Sequence, residues 1–408
     1  MRRILAAPFA ILPAILLLTP ADADTISTQI AQNGLAKVEA QLSALPTPTD
    51  AETFALGGVQ FLRAVEISFQ DRWRMGMTDR TGMLPLLRLP IPDNPTPAKF
   101  DPAAITALFA DASAELDKSK ATLAKVPESS DFGVEIALGD LWFDVNANGT
   151  RDAGESMSDI VGVTILGGTE DSGTAPQPLP TVRFDVADAA WLAAYADLLN
   201  AFCDMVRAYD PTEPLTRIIA AHDTMASLGP VKPEPIFGGM MPYDPARLDG
   251  FDLVAVVLAS LNQQPDKARM IAAHDHLLAM VTENRAFWTR VAAETDDKQE
   301  WLPNDHQHAA IGVDLPQGTG PLWLALLSDV EAVLKGEKLL PFWRVGPPAG
   351  FNLAKFFADP RPIDLAGWVQ GWAVLPYLEK GRVVSTANSE AFDALVQGQS
   401  MLFALYLN

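Results

Sequence analysis

Cysteine is nearly absent from this sequence, since its 408 residues include a single one, Cys203. One cysteine excludes an internal disulfide, so the fold must be stabilised by packing, with or without a bound metal. Cys203 lies in an amphipathic helical pattern. That pattern predicts a small buried apolar residue rather than a reactive nucleophile.

The common catalytic signatures are also missing. The chain has no Gly-x-Ser-x-Gly nucleophile elbow, no phosphate-binding glycine loop and no dinucleotide fingerprint. No pair of carboxylates for glycoside hydrolysis can be singled out among 51 acidic residues. These absences favour a non-enzymatic role.

Basic residues are scarce. The chain has 30 lysines and arginines against 51 acidic residues, which gives a formal net charge of −21. Such a surface is repelled by nucleic acid and by anionic lipid, so we expect no nucleic-acid partner. An acidic surface favours solubility and attracts cations, and most of these carboxylates are expected to be solvated.

Long hydrophobic runs are confined to the first residues. Met1 is followed by two arginines, residues 4–18 are apolar, and residues 21–23 read Ala-Asp-Ala. These are the parts of a secretory signal peptide, with cleavage expected after Ala23. The prediction is a periplasmic or secreted protein whose mature chain has no transmembrane segment.

The spacing of apolar residues predicts a mostly α fold, in the form of a multi-helix bundle or layered helical domain. Long connectors rich in proline and glycine separate the helices, and at most minor β structure is expected, at 182–184 and 382–385. Helices are predicted over 24–46, 49–79, 101–125, 185–206, 210–229, 246–262, 266–294, 321–335 and 388–406.

Local signals locate two helix starts. Thr49 and Glu52 have the spacing of a capping box, and Asp185 precedes a strongly amphipathic stretch. We expect one continuous helical domain over 24–408, with a weak candidate boundary in the loop at 167–180. No secondary structure is predicted for the aromatic, proline-broken region around 342–377.

The most informative stretch is the twelve residues from Asp144 to Glu155. Oxygen-bearing side chains occupy positions 1, 3, 5, 9 and 12, and a glycine at position 6 permits a sharp turn. The main-chain carbonyl of position 7 is placed to be a further ligand. The candidate ligands are Asp144, Asn146, Asn148, Thr150, Asp152 and Glu155.

This stretch resembles an EF-hand calcium loop, and also the related loops of dockerins and bacterial adhesin repeats. The resemblance covers residues 144–155 and their flanks, and it implies a bound calcium ion. Position 8 is Arg151, where paired EF-hands usually carry an aliphatic residue, and the chain has no second loop with this spacing. We therefore expect a solitary structural site that joins the 101–125 region to the helices after 180. The alternative is an acidic turn that binds no ion.

The five histidines are a second candidate site. His306 and His308 follow Asp305 and can lie on one side of an extended loop, where one of His222 or His274 could complete a zinc or copper site. The alternative is that the histidines lie at the surface and hydrogen-bond to neighbouring aspartates. His274 and His276 point to opposite faces of a helix, so they cannot share a metal there.

Tryptophans are concentrated in the last third of the chain. Trp368 and Trp372 are four residues apart and could share a helix face, while Arg344 and Arg361 nearby could receive an anionic group. Exposed tryptophans can line a sugar-binding or apolar cleft, although buried ones are commoner. Two methionine pairs resemble copper(I) ligands but fit core positions better: Met75 with Met77, and Met240 with Met241.

Three hypotheses follow. The leading one is an exported, non-enzymatic helical protein with one structural calcium ion, which binds a ligand or partner through its aromatic C-terminal region. The alternative is a periplasmic metal-dependent hydrolase or metalloenzyme built around Asp305, His306 and His308. A third is a scaffold that holds an envelope protein complex together.

Overall fold

The computed structural model describes residues 23–77, 89–161, 179–229 and 245–407. In these residues the fold is mostly α, as the sequence predicts. The helices, α1 to α14 in chain order, are Ala23–Asn33, Leu35–Ser43, Asp50–Met75, Ala103–Leu123, Met157–Val161, Val186–Ala208, Thr212–Leu228, Pro245–Leu261, Lys267–Val291, Thr319–Leu334, Leu353–Ala358, Leu365–Gln370, Ala387–Leu395 and Ser400–Leu407. Across this part of the chain, no helix is long and apolar enough to cross a bilayer.

Both predicted helix starts are confirmed. The Thr49 amide donates to Glu52 Oε2 at 2.8 Å, and the Glu52 amide donates back to Thr49 Oγ1 at 3.2 Å. Asp185 and Asp188 form the same reciprocal pair at the start of α6. Each pair satisfies main-chain N–H groups that lack a partner within the helix.

Two stretches that are each predicted as one continuous helix are in fact two shorter helices separated at a glycine. The helix predicted over 24–46 is broken at Gly34, which has φ 75°, and the helix predicted over 388–406 is broken near Gly398, which has φ 83°. A positive φ takes the chain out of the right-handed helix, and glycine adopts it at little cost. The resulting short helices can turn to pack on different neighbours.

The long helices pack in layers, with α6 at the centre. It lies against α4 on one side of the bundle and α9 on the other, while α3 packs on α4 and α10 packs on α9. Its small side chains, among them Ala194, Ala196 and Ala201, are fully buried and permit close approach of the neighbouring helices. Leu192 belongs to the core around α1–α3, whereas Ala194 belongs to the core around α9 and α10.

Minor β structure is present as two antiparallel pairs of strands. β1 (Val134–Ala137) pairs with β2 (Thr181–Phe184), which confirms the strand predicted at 182–184. β3 (Ala349–Phe351) pairs with β4 (Leu378–Lys380). The prediction of a strand at 382–385 is wrong. The strand that pairs with β3 is β4, which ends at Lys380, and Val383 forms only an isolated bridge with Leu339.

The candidate domain boundary at 167–180 lies mostly outside the described residues. The chain segments on either side of it are nevertheless paired. Val134 lies opposite Phe184, and Ala137 lies opposite Thr181.

Residues 339–384 form what we call the aromatic module, which contains α11, α12, β3 and β4. Phe351, Phe356, Trp368 and Tyr377 pack around one another, and the ring centroids of Phe351 and Tyr377 are 5.6 Å apart. Edge-to-face contacts of this kind add to the stabilisation from burying the rings. The module adjoins the helical layers through α11, which packs on α9.

Candidate metal centre

The loop at 144–155 is closed at its base by main-chain hydrogen bonds. The Phe143 amide donates to the Glu155 carbonyl at 2.9 Å, and the Met157 amide donates to the Leu141 carbonyl at 3.0 Å. Trp142 and Ser156 form an antiparallel bridge beside them. The two ends of the loop are therefore held together, which limits how far its side chains can separate.

The first half of the loop is curled by its own side chains. Asp144 accepts from the amides of Asn148 at 2.9 Å and Gly149 at 2.8 Å. Asn146 accepts from the Asn148 amide at 3.0 Å, and Asn148 accepts from the Thr150 amide at 2.7 Å. Each bond turns the chain inward. The oxygens of positions 1, 3 and 5 are thereby drawn to one side.

Backbone conformation completes the curl. Gly149 has φ 76° and Gly154 has φ 86°, both in the left-handed region that glycine adopts readily. The sequence predicts a sharp turn at Gly149, and this is confirmed. Ala147 has φ 58° without being glycine, which costs about 1–2 kcal/mol.

Asp152 joins the two halves of the loop. Its Oδ2 accepts from Asn146 Nδ2 at 2.8 Å and from Asn148 Nδ2 at 2.7 Å. These side-chain hydrogen bonds from Asn146 and Asn148 lower the pKa of Asp152. The structure thus brings the side chains of positions 3, 5 and 9 into direct contact.

Glu155 closes the loop from the inside and is only 1% exposed. Its Oε1 accepts from the Val145 amide at 2.9 Å, and its Oε2 accepts from the Asp152 amide at 2.8 Å. Burial raises the pKa of Glu155, and the negative charge of Asp144 raises it further. A cation at this position would offset the cost of burying the carboxylate.

A second buried carboxylate lies beside the loop, on α3. Glu66 is fully buried, and Oε2 of its carboxylate has no hydrogen-bond partner among the described residues. Burial raises the pKa of Glu66 to about 8, Arg63 at 2.7 Å opposes that rise, and Asp144 and Glu155 add to it. With this pKa Glu66 is mainly protonated at neutral pH, so the negative charge that favours a cation here comes from the acidic side chains of the loop itself.

The loop and the residues before it are attached to α3 and α1. On α3, Gln70 Nε2 donates to the Asp144 carbonyl at 2.8 Å, and the ring of Phe69 packs edge-to-face on Phe143 with the ring centroids 5.2 Å apart. On α1, the Ile30 carbonyl accepts from Trp142 Nε1 at 2.9 Å. None of these three contacts reaches the 101–125 region. Before the loop, β1 pairs with β2, which precedes the helices after 180, and the predicted role of an ion in joining these regions stays a prediction.

The donors of this loop have the chemistry that calcium requires. Calcium takes about six to eight oxygen ligands from carboxylates, amides and main-chain carbonyls, in a flexible geometry. Carboxylates here account for half of the candidate ligands, and the amides of Asn146 and Asn148 and the carbonyl of Thr150 account for the rest. Such hard oxygen donors suit calcium or magnesium, not zinc or copper.

Two residues beside the loop were not identified from the sequence. Glu66 and Gln70 are one turn apart on α3 and face the same side, and Gln70 Nε2 also donates to Glu66 Oε1 at 3.3 Å. The spacing was visible in the sequence. Nothing local indicated that this side of α3 meets a loop 74 positions further along the chain.

The histidine pair of the alternative site engages other partners. His308 Nδ1 lies 2.9 Å from Asp297 Oδ2, and this hydrogen bond raises the pKa of His308. Asp305 Oδ1 accepts from the Gly318 amide at 2.9 Å. His306 is exposed, and its amide donates to Asn304.

The remaining histidines each have a different partner. His274 Nε2 is 2.8 Å from the Leu334 carbonyl, and His276 Nδ1 is 2.6 Å from Asp197 Oδ1. His222 pairs with Asp252 on α8.

In the part of the chain that the structure describes, no three side chains of His, Cys, Asp or Glu are arranged to hold a metal. An ion in the 144–155 loop would therefore need its amide and carbonyl oxygens as ligands as well.

The remaining sequence candidates divide between core and surface. Cys203 is buried, which confirms the prediction of a buried residue, and burial raises the pKa of its thiol to about 12. Met75 is buried at the end of α3. Met240 and Met241 lie outside the described residues.

The expectation that Trp368 and Trp372 share one helix face is wrong. α12 ends at Gln370, and Gly371 has φ 104°, so the chain reverses before the second ring. Trp368 packs into the aromatic module, whereas Trp372 is exposed.

Comparison of the chain with protein-family models, with curated proteins and with solved structures finds no match.

Proposed function

We propose that this chain is an exported helical protein with a structural calcium ion bound in the Asp144–Glu155 loop, and that it binds a ligand or partner through the aromatic module. The observation that carries the calcium proposal is the buried carboxylate of Glu155, which lies within a closed loop of oxygen donors. A buried carboxylate beside further acidic groups is unfavourable without a cation.

The ion would act on stability rather than on signalling. A ligand that binds only the folded state stabilises it by about 2.7 kcal/mol at a concentration one hundred times its Kd. Outside the cytoplasm, calcium sites with Kd of about 10⁻⁴–10⁻³ M are sufficient. The solitary loop supports this role, because cooperative sensors use paired loops.

The proposed location depends on the first residues. Residues 1–22 lie outside the described residues, so export rests on the sequence pattern of the signal peptide.

The test is the melting temperature of the mature protein, first in chelator and then in rising calcium. We expect a saturating upward shift that magnesium does not reproduce. Asp144→Asn removes a charge and one acceptor oxygen while keeping the shape, and it should abolish most of the shift. An equal melting temperature with and without calcium would contradict the proposal.

The choice of variant matters for this test. Glu155→Ala would leave the amides of Val145 and Asp152 without their acceptor, so it should destabilise the protein in chelator as well. Glu155→Gln keeps one of the two acceptor oxygens, so it removes the charge and the hydrogen bonds of one oxygen only, which is a milder change than Glu155→Ala. The calcium-dependent part of the shift is the relevant measurement.

The metalloenzyme alternative has its own test. Elemental analysis of the purified protein would support it if zinc or copper were present at one equivalent and lost in His306→Ala. Calcium alone would favour the structural role. Co-purification of an envelope protein would favour the scaffold hypothesis.

A further inference from the structure

The candidate calcium loop contains one of the two Asn-Gly pairs in the chain, Asn148–Gly149, and the other pair is Asn33–Gly34. An asparagine that precedes glycine is prone to deamidation, because the main-chain nitrogen of the glycine can attack the side-chain amide. Glycine has no Cβ to hinder that attack, and its backbone adopts the required conformations readily. The surroundings of each pair decide whether the reaction can take place in the folded protein.

The first pair is protected by a helix and by burial. Asn33 is the last residue of α1, and the Gly34 amide donates to the Ile30 carbonyl at 2.9 Å. Side chains on a helix point back towards its N-terminus, so the side chain of Asn33 points away from the nitrogen that would attack it. Gly34 is buried, and a Cβ there would lie 2.8 Å from Trp142, which leaves no room for a new ring.

The second pair is open to reaction. Asn148 is exposed and lies outside the helices and strands, and a Cβ at Gly149 would meet nothing within 4 Å. Asn148 Oδ1 accepts from the Thr150 amide at 2.7 Å. A bond of this kind, to the residue two positions on, folds the side chain along the peptide group of Gly149. The side-chain amide and the attacking nitrogen are therefore held side by side, as ring closure requires.

Two hydrogen bonds to loop carboxylates restrain the same pair. The Gly149 amide donates to Asp144 Oδ2 at 2.8 Å, and Asn148 Nδ2 donates to Asp152 Oδ2 at 2.7 Å. The first bond stabilises the protonated form of the nitrogen that must lose its proton, and the second holds the amine that must leave. Because both acceptors are candidate calcium ligands, the state of the calcium site controls the restraint.

We propose that Asn148 is a modification site that deamidates spontaneously while the loop is empty and is protected while calcium is bound. The Gly149 nitrogen loses its proton and bonds to Cγ of Asn148, the Cγ–Nδ2 bond breaks, and ammonia leaves with that proton. Water then opens the resulting succinimide at either of its carbonyl carbons, which gives aspartate or isoaspartate. The protection by calcium rests on the proposed calcium site.

Calcium protects because Asn148 Oδ1 is the candidate ligand at position 5. Ring closure requires the side chain to leave the other ligands and to close onto Gly149. An ion that binds Oδ1 together with Asp144 and Asn146 opposes this movement. If only empty loops react, the rate follows the fraction of empty loops, so it falls about a hundredfold at a calcium concentration about one hundred times the Kd.

The two products differ in what they do to the site. Aspartate keeps the length of the side chain and of the main chain at position 5. Isoaspartate inserts a methylene into the main chain, which displaces positions 6 to 12 from the earlier ligands. We therefore expect the isoaspartate form to lose the calcium-dependent rise in melting temperature, whereas the variant Asn148→Asp retains it.

The test is incubation of the mature protein in mildly alkaline buffer, in chelator and at a series of calcium concentrations. Peptide mapping by mass spectrometry then measures aspartate and isoaspartate at each asparagine. In chelator, Asn148 should convert at least about tenfold faster than Asn33 or Asn146, because misplaced reacting groups lose up to about a hundredfold in rate. Asn146 is a matched internal control, since it also donates to Asp152 but is followed by Ala147. Calcium should halve the rate at the Kd that melting curves give.

Denatured protein is the reference, and both Asn-Gly pairs should convert in it. The site is refuted if Asn148 stays intact in folded protein in chelator, or if Asn33 converts as fast as Asn148. Protection is refuted if the rate ignores calcium in a protein whose melting temperature calcium raises. If calcium raises no melting temperature and Asn148 still outpaces Asn33 and Asn146, the metal proposal fails while the modification site is supported.

Discussion

Gln70 Nε2 and the main-chain carbonyl of Asp144 are 2.8 Å apart, and this hydrogen bond connects α3 to the first residue of the candidate calcium loop. The same amide also reaches Glu66 Oε1 at 3.3 Å. Gln70 therefore lies between a buried carboxylate and the loop. It is positioned to orient a ligand without being one.

Gln70→Ala should weaken calcium binding about tenfold, because groups that orient metal ligands typically have effects of this size. Calorimetric titration of the mature protein with calcium measures it. Gln41→Ala, at an exposed position on α2, is the matched control. A variant that melts earlier but binds calcium as the parent does would show that Gln70 is only structural.

Glu66 should make stability depend on pH. Its pKa is raised from 4.5 to about 8, mainly by burial, so the folded state binds more protons than the unfolded state between those values. Stability is then greatest at low pH within this window and falls as the pH rises towards 8. Each pKa unit corresponds to about 1.4 kcal/mol.

Glu66→Gln should flatten this decline, because the amide does not ionise. Denaturant unfolding at pH 5, 6.5 and 8 measures the effect. Glu135→Gln, at an exposed position on β1, should retain the parent profile. The explanation fails if both variants show the same pH dependence.

Gly34→Ala should destabilise the protein by about 1–3 kcal/mol. Gly34 has φ 75°, and an added Cβ would lie 2.8 Å from Cζ2 of Trp142. Both backbone strain and a clash oppose the methyl group. Gly139→Ala is the control, since a Cβ there meets nothing within 4 Å, and thermal unfolding of the two variants should differ accordingly.

Cys203 should resist thiol reagents in the folded protein. The thiol is buried and its pKa is raised to about 12, so the reactive thiolate is scarce at neutral pH. We expect one equivalent of thiol to react with Ellman's reagent only after denaturation. Rapid labelling under native conditions would contradict the buried position.

The sequence by itself determined the class of fold and the composition of the candidate loop. Apolar periodicity predicted the long helices. The helix starts predicted at Thr49 and Asp185 are confirmed, and both have the hydrogen bonds of a capping box. The twelve-residue spacing located Asp144 to Glu155 as a loop, and the curl around Gly149 follows from it. All of these depend on interactions between residues a few positions apart, which a sequence pattern records.

Only the tertiary structure decided what surrounds these elements. The break at Gly34 accommodates Trp142, the amide of Gln70 meets a carbonyl 74 positions away, and the side chains of Arg344 and Trp372 both contact α12. The burial of Glu66, which gives it its raised pKa, comes from the packing of α3 against the rest of the fold. Contacts between distant segments depend on how whole helices pack, and no local pattern in the sequence encodes them.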